Sequence, residues 1–477
     1  MAELGGQRSV SRRTVLKGTA AVAALGGVSA FIAACGGSSA TASPSAVAST
    51  VASAAPSMAP STASVAPASV APASSAPTSA ATGTVTLGSN YSDPVPKGVL
   101  ASIVDGFKKA NPGITVKLNT TDHNTFQDQI SAYLQGTPDD IFTWFSGFRM
   151  RFFAAQNLAT DISDVWSQVG SNFSDAFKVG STGDDGKQYF IPIYNYPWAV
   201  FYRKSVFQDK GYTIPATLAD FKPLCQKMKS DGLVPIAFGD SDGWPAMGTF
   251  DIINLRTNGY DFHVGLMAGK EKWTDPKVTT VFNTFKDLLP FHQEGAAGRK
   301  WQDAAQALVQ KKAGMYLLGM FVSQQFQTAG AADLADLDFF PYPSFGTQYD
   351  AEKALDAPID GFMLSKNSTT LAADTDAAKA FLEYLAQPAT QVSWVTQDPS
   401  NIAAVKNADT SKYTPLQLKA AQLIGDAQRI TQFLDRDTNP NFAGANGMQA
   451  FLLDFIKNPN QDLTAFQAKI QAFWATL

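Results

Sequence analysis

Strand-type and helix-type segments alternate along residues 84–477, and this pattern restricts the chain to few architectures. Thr84–Leu87 predicts a strand, Val99–Ala110 a helix, and Ile114–Leu118 a second strand after the helix-stopping Asn111-Pro112-Gly113. Such alternation is typical of βαβ units, whose strands join a mostly parallel sheet with helices on its faces. The alternation is interrupted twice, and the C-terminal part is helical. We therefore predict an α/β fold with two lobes, each a mainly parallel sheet flanked by helices.

The aromatic stretch Phe190–Lys204 stands out within this alternation. Its two apolar runs, Phe190–Ile193 and Ala199–Tyr202, are rich in β-branched and aromatic residues and predict strands. Pro197 lies between them and marks a strand end or a crossover, because it has no N–H for a ladder. The neighbouring rings and the amide of Asn195 suit a cleft for a hydroxylated ligand. An aromatic corner of the core is the alternative.

Other aromatic and polar residues fall where a ligand is expected. In α/β sheets ligands sit beyond the carboxyl ends of the strands, which places Tyr91 and Phe145 among the candidates. The candidates for stacking on a ligand are Trp144, Tyr196, Trp198, Trp244 and Phe321. The polar candidates are Arg149, Asn195, Asp360 and Asp435.

Residues 1–35 predict an export signal. Basic residues precede the uncharged, Ala-rich stretch Thr19–Ala34, which is shorter than the about 20 residues of a membrane-spanning helix. Ser11–Lys17 resembles a twin-arginine motif. Ile32–Cys35 resembles a bacterial lipobox, which implies cleavage before Cys35, a lipid on its sulfur, and attachment to the outer face of the cytoplasmic membrane. An unlipidated signal peptide is the alternative.

Residues 36–83 predict a disordered tether. They carry no charge and no aromatic ring, and consist almost wholly of Ala, Ser, Pro, Thr, Val and Gly. Such a segment cannot bury enough apolar surface to offset its chain entropy. Its prolines favour a partly extended chain.

Charge and cysteine usage argue against several functions. A net charge of −4 and a pI near 5.5 give no reason to expect nucleic acid as a partner. Cys35 and Cys225 do not indicate a disulfide framework, and Cys225 is expected to pack as a small hydrophobic residue. The three histidines (His123, His263 and His292) are widely spaced. We therefore predict no metal and no cofactor.

Two patterns could indicate hydrolytic chemistry. Gly239–Gly243 fits the G-x-S-x-G nucleophile elbow, but Trp244-Pro245 stands where a helix should begin at once. The acidic pairs Asp139-Asp140 and Asp184-Asp185 are adjacent in sequence, whereas glycosidase carboxylates act across a sugar from different elements. We predict no catalytic residue, and an exported glycan-active hydrolase is the alternative.

Several separated segments, in order, resemble one known family. Val200–Phe207 is similar to its "YNKDLF" segment, Lys312–Gly319 to its "AM" strand, and Asp360–Lys366 to the segment before its "FLEYL" helix, here Phe381–Leu385. The chain thus resembles the carbohydrate-type substrate-binding proteins of bacterial ABC transporters over residues 84–477. It departs from the family where Met320-Phe321 replaces the usual Ser-Trp or Pro-Trp.

The resemblance implies two lobes joined by a hinge and closing on a ligand. Carried over, the first lobe comprises residues 84–197 and 328–388, and the second comprises 198–327 and 389–477. The hinge then passes near Tyr196–Trp198. The polar loop around Asp435 resembles a family segment that faces the cleft.

The implied function is capture of a sugar or oligosaccharide for delivery to ABC permease subunits. We expect a monomeric, non-catalytic receptor held at the membrane by its lipid. A receptor for an oligopeptide, a polyamine or another non-sugar solute is a further alternative.

Overall fold

The computed structural model describes residues 81–477. The predicted signal segment, the lipidation site Cys35 and the tether up to residue 80 lie outside the described residues.

Twelve strands occur in the described residues. They are β1 (Gly83–Ser89), β2 (Ile114–Thr120), β3 (Ile141–Phe145), β4 (Ile191–Asn195), β5 (Trp198–Arg203), β6 (Val234–Ile236), β7 (Ala313–Gly319), β8 (Leu337–Phe340), β9 (Ala354–Asp356), β10 (Ile359–Leu364), β11 (Ile402–Ala403) and β12 (Arg429–Thr431).

Twenty α-helices connect and cover these strands in the same part of the chain. They are α1 (Pro94–Ala110), α2 (His123–Gln135), α3 (Phe148–Ala155), α4 (Ser163–Val169), α5 (Asp175–Gly180), α6 (Lys204–Lys210), α7 (Leu218–Ser230), α8 (Pro245–Asn258), α9 (Tyr260–Met267), α10 (Pro276–Leu288), α11 (Trp301–Val309), α12 (Ser323–Ala329), α13 (Ala331–Asp336), α14 (Leu371–Leu385), α15 (Pro388–Gln397), α16 (Pro415–Asp426), α17 (Leu434–Asp437), α18 (Pro440–Ala443), α19 (Met448–Lys457) and α20 (Leu463–Trp474).

Two main sheets organise the molecule, and each defines one lobe. The sheet of the first lobe has six strands in the order β11-β4-β10-β3-β1-β2, and that of the second lobe has four in the order β6-β7-β5-β8. A small parallel pair, β9 with β12, lies apart from both sheets. The predicted two-lobed α/β fold is therefore observed.

Both sheets are mixed, where mainly parallel ones were expected. In the first sheet β10 and β11 run opposite to the other four strands, and in the second β5 runs opposite to its neighbours. Strand β10 comes late in the chain, lies between β3 and β4, and runs antiparallel to both. The local alternation of strands and helices does not specify the direction of a strand that joins a sheet from a distant part of the chain. Between β4 and β5 the chain leaves the first sheet at Asn195 and enters the second at Trp198, with only Tyr196 and Pro197 between the two strands.

Two expected lobe boundaries are corrected by the strand pairing. Strand β8 lies within the range 328–388 but pairs with β5, with Phe340 opposite Val200, and so belongs to the second sheet. Strand β11 lies within 389–477 but pairs with β4 of the first sheet. Helix α15 accompanies it, because the buried Trp394 packs its ring 5.7 Å from that of Tyr91. The chain still crosses between the sheets in the expected order, but the second crossing comes after β8 and the third after β11.

Apolar side chains of both lobes form the core. The four largest fully buried side chains are tryptophans: Trp144, Trp198, Trp273 and Trp394. Helix α7 begins as its sequence predicts, since Thr217 caps it and exchanges hydrogen bonds with Asp220. Within residues 81–477, no helix combines the length and the apolar character required to span a bilayer.

Candidate ligand-binding site

A cavity of about 280 Å³ lies between the two lobes, where β4 passes into β5. Its walls come from segments that follow strands of both sheets. The lining residues are Asn90, Tyr91, Ser92, Asp93, Pro96, Asp122, His123, Asn124, Gln127, Tyr194, Tyr196, Trp198, Asp242, Trp244, Lys300, Trp301, Gln302, Phe321, Gln324, Asp360, Asn401, Phe433, Asp435 and Arg436.

Aromatic rings form one side of the cavity, and Phe321 lies at their centre. The ring centroid of Phe321 is 5.4 Å from that of Tyr196, 5.8 Å from that of Trp244 and 5.0 Å from that of Trp301. Trp198 meets Trp244 nearly perpendicularly at 6.3 Å. Edge-to-face packing of this kind is favourable and fixes the rings in place. The rings therefore present rigid apolar faces to the cavity.

The position of Trp198 depends on a glycine in the helix behind it. A Cβ atom on Gly248 of α8 would lie only 2.2 Å from the Trp198 ring. Because no real side chain tolerates that approach, glycine at this position lets the indole pack directly against the helix backbone. This contact fixes the position of the Trp198 ring, which lines the cavity.

A buried ion pair between Arg436 and Asp360 joins the two sides of the site. The guanidinium of Arg436, on α17, contacts the carboxylate of Asp360, on β10, and lies 3.8 Å from the centre of the Phe145 ring. The two side chains are only 6% and 8% exposed. Burial raises the pKa of Asp360, and the guanidinium opposes that shift. Burial has the largest single effect on Arg436 and by itself would lower its pKa, but Asp360, Tyr196 and Asp435 together outweigh burial and raise that pKa.

A second buried pair holds the neighbouring carboxylate. Arg149 donates from Nε to the backbone oxygen of Asp435 at 2.7 Å and from a terminal nitrogen to its Oδ1 at 2.8 Å. Its other terminal nitrogen donates to Oε1 of Gln127 at 3.2 Å. Just before this loop, Phe433 has a φ of 74°, a strained value for a residue with a side chain. The bond network and the strained turn together direct Asp435 and Arg436 into the cavity.

Several hydrogen-bond donors in the lining have no partner among the described residues. They are Nδ2 of Asn90, Nε1 of Trp198, Nε1 of Trp244 and Nε of Arg436, and all four atoms are buried. A buried donor without an acceptor costs free energy, whereas nearly all such groups in folded proteins are paired. The cavity therefore favours a ligand that carries several oxygen acceptors.

The rim of the cavity is polar and partly exposed. Asp93 and Asp242 lie there, and burial raises the pKa of each carboxyl group. Burial, aided by the charge of Arg436, lowers the pKa of His123 to about 4. The imidazole is therefore neutral at pH 7, so it enters the site as a hydrogen-bonding group.

Seven of the predicted ligand contacts line the cavity. They are Tyr91, Tyr196, Trp198, Trp244, Phe321, Asp360 and Asp435. Phe321, where the sequence departs from the motif of the family that it resembles, is among them.

The other four predicted contacts do not line it, and their expected role is corrected. Trp144 points into a separate core cluster against Phe153. Phe145 lies beneath Arg436, and Arg149 reaches the site only by holding Asp435. Asn195 is an interior sheet residue paired with neighbours on both sides, Ile359 and Ile402. Successive side chains of a strand point to opposite faces, so position near a strand end does not decide which residues face a ligand.

Sequence reasoning missed several lining residues. Arg436 follows the predicted Asp435 directly, and a charged run in a polar loop was the available signal. Trp301 and Gln302 begin helix α11 and carry no local signal, because only the approach of the two lobes brings them to the cavity.

The serine and the histidines that a hydrolase would use make other contacts in the structure. Helix α8 begins at Pro245, contrary to the expectation that Trp244-Pro245 would prevent it, because proline suits the first helical position. The Ser241 hydroxyl, however, donates only a long bond, 3.3 Å, to Asp242. The ring nitrogens Nδ1 of His263 and His292 contact Asn254 and the Leu288 carbonyl oxygen.

The acidic pair Asp139-Asp140 has a structural role. Asp139 accepts a hydrogen bond from the hydroxyl of Tyr133 at 2.8 Å, and Asp140 accepts one from the backbone N–H of Thr86. No cluster of three or more His, Cys, Asp or Glu residues in the described part of the chain is arranged to hold a metal ion.

Two α/β lobes that share crossing strands and enclose a cavity lined from both sides define a two-lobed solute-binding protein. A family profile described as bacterial extracellular solute-binding protein matches residues 88–392. The chain belongs to this family.

Individual relatives agree with this assignment. The α-glucosides-binding periplasmic protein AglE of Rhizobium meliloti is 25% identical over 387 residues, which is 76% of this chain and 81% of that protein. An uncharacterized ABC transporter extracellular-binding protein of Pyrococcus horikoshii is 24% identical over 67% of this chain and 71% of its own length.

Solved structures extend the likeness to the fold. The bacterial solute receptor AcbH, described as having an exclusive substrate preference for β-D-galactopyranose, superposes with a TM-score of 0.79 and 45% identity, over 83% of this chain and 99% of its own. A chitin oligosaccharide binding protein shares the fold at a TM-score of 0.74 and 21% identity, over 83% and 98% of the two chains.

Proposed function

We propose that this protein captures a sugar in the cavity between its lobes and delivers it, chemically unchanged, to an ABC permease. The observation that carries the proposal is the pairing of rigid aromatic faces with unpartnered buried donors in one small cavity. The faces match the apolar C–H surfaces of a pyranose, and its hydroxyl and ring oxygens supply acceptors for the donors. The AglE and AcbH likenesses support the same ligand class.

The size of the cavity favours a single sugar ring over an oligosaccharide. Its volume of about 280 Å³ lies just below the range of about 300–1,000 Å³ that is usual for ligand pockets. The 45% identity with AcbH makes β-D-galactopyranose the first sugar to test. Binding energy is gained when both lobes contact the ligand, so the ligand shifts the population toward the closed arrangement.

The first lobe in this proposal contains the six-stranded sheet with α15, and the second contains the four-stranded sheet with α11. Tyr196 and Pro197 form one hinge crossing. We propose further that Cys35 carries the lipid that holds the receptor at the outer face of the cytoplasmic membrane, and that the twin-arginine motif directs its export. Mass spectrometry of the membrane-extracted protein tests both the cleavage and the lipid.

Melting curves against a panel of mono- and oligosaccharides test the sugar proposal. A ligand at one hundred times its Kd stabilises the folded state by about 2.7 kcal/mol, so the matching sugar raises the Tm by several degrees. That sugar should be recovered intact. Conversion of the sugar to a product would instead support the hydrolase alternative, and no shift with any sugar would contradict the proposed ligand class.

A conservative tryptophan substitution tests the site itself. Trp244→Phe keeps an aromatic ring but removes the buried indole donor, so we expect about a fivefold weaker sugar affinity by calorimetric titration. Trp273→Phe is the matched control, because Trp273 is also buried and has an unpartnered indole nitrogen but lies outside the cavity lining. Equal affinity losses in the two variants would show that the effect is not a ligand contact.

A further inference from the structure

One hydrogen-bonded pair spans the rim of the cavity from lobe to lobe. Asp93 lies at the start of α1 in the first lobe, and Gln302 lies on α11 in the second. Nε2 of Gln302 is 3.1 Å from Oδ1 and 3.3 Å from Oδ2 of Asp93, so one amide group donates to a carboxylate across the gap. Both side chains line the cavity and are partly exposed.

A second hydrogen-bonded connection between the lobes, near the cavity, is more deeply buried than the first. Nε2 of Gln324, on α12, donates to Oδ2 of Asp398 at 3.1 Å and to Oγ of Ser400 at 3.2 Å. Gln324 is 7% exposed, and its two partners are completely buried. Breaking a buried hydrogen bond leaves its groups unpaired, whereas groups at a partly exposed bond can turn to water. Of these two connections, the Asp93–Gln302 bond costs less to open.

We infer that Asp93 and Gln302 form a clasp that opens to admit the ligand and, when closed, restricts the ligand to a single sugar ring. This inference rests on the proposed sugar-binding function and assigns two specificity-determining residues to it. The bond crosses the rim of a cavity of about 280 Å³, so a second sugar unit that extends between Asp93 and Gln302 would have to break it.

Affinity measurements on the full chain test the clasp. Galactose and a galactose-containing disaccharide are titrated into the wild type, Gln302→Ala and Gln306→Ala. Gln306 is the matched control, because it lies one turn further along α11 and donates to Gln325 of its own lobe at 3.1 Å. We expect Gln302→Ala to bind galactose about tenfold more weakly, mainly through faster dissociation, and to prefer it less strongly over the disaccharide. Gln306→Ala should stay within about twofold of the wild type.

A conservative variant distinguishes loss of the hydrogen bond from a change in the local fold as the cause of weaker binding. Asp93→Asn keeps an oxygen that accepts from Gln302, so its loss of galactose affinity should be smaller than that of Asp93→Ala. Melting temperatures of all variants, measured without sugar, establish that each remains folded.

The outcomes distinguish the clasp from the proposed function. If the wild type binds galactose, and Gln302→Ala keeps both its affinity and its preference for galactose over the disaccharide, the clasp is refuted but the proposed function is not. Equal losses in Gln302→Ala and Gln306→Ala would also overturn it, as would a wild type that binds the disaccharide more tightly than galactose. A wild type that binds no sugar at all would refute both proposals.

Discussion

Replacing Asp360 by asparagine removes one partner of the ion pair that joins β10 to α17. The remaining Arg436 guanidinium is 6% exposed and lies 3.8 Å from the centre of the Phe145 ring, so water cannot solvate it fully. The nearby Asp435 carboxylate is already held by Arg149, with 2.8 Å between the bonded atoms. Asp360→Asn therefore leaves a charge buried without its counter-charge.

The expected cost follows from that unpaired charge. Removing one member of a buried ion pair destabilises a protein by about 3–5 kcal/mol, a large part of a total stability of about 5–15 kcal/mol. Arg436→Met removes the charge together with its stacking on Phe145, which contributes up to about 2 kcal/mol. The double variant carries no unpaired charge. Its cost should therefore fall short of the sum of the single costs by about 2–3 kcal/mol.

Urea denaturation of the four proteins at pH 7, followed by tryptophan fluorescence, gives the free energies of unfolding for this cycle. Sugar titrations on the same proteins report ligand affinity separately from stability. A loss of less than about 1 kcal/mol in Asp360→Asn, or strict additivity in the double variant, would refute the argument that the two charges depend on each other.

Two further substitutions test the packing and the electrostatics around the site. Burial raises the pKa of Asp240 to about 8. The folded chain therefore keeps a proton that the unfolded chain loses above about pH 4. Because of this difference, the stability of the wild type falls as the pH rises from about 4 to about 8. Asp240→Asn should abolish this pH dependence, so the variant should be more stable than the wild type at pH 8 but not at pH 4. Equal changes in Tm with pH for the two proteins would contradict the prediction. Gly248→Ala should cost about 1–3 kcal/mol in thermal unfolding and weaken sugar binding, because the added methyl group displaces Trp198. Gly98→Ala, at an exposed position of α1 with open space around it, should instead stabilise by up to about 1 kcal/mol, and similar losses in both variants would count against the packing argument.

Local sequence patterns predicted much of the secondary structure. The strand predicted at Thr84–Leu87 lies within β1, the one predicted at Ile114–Leu118 lies within β2, and the helix predicted at Val99–Ala110 forms the greater part of α1. These elements are predictable because β-branched and aromatic runs, capping residues and helix breakers act on neighbouring residues. The direction and order of the strands depend on connections and contacts between distant segments. That is why β8 and β11 lie in lobes other than those expected.

The same distinction applies to the site. The aromatic composition around Tyr196 and Trp198 and the polar loop at Asp435 predicted that a ligand would bind there, because side-chain chemistry is a local property. Which residues face the cavity was decided by the tertiary structure. Strand geometry turns Trp144 into the core, and the approach of the two lobes brings Gln302 of α11 to within 3.1 Å of Asp93. The sequence by itself determined the α/β class and the chemistry available for binding. Only the packing of the lobes determined the shape of the cavity, because its walls come from segments far apart in the chain.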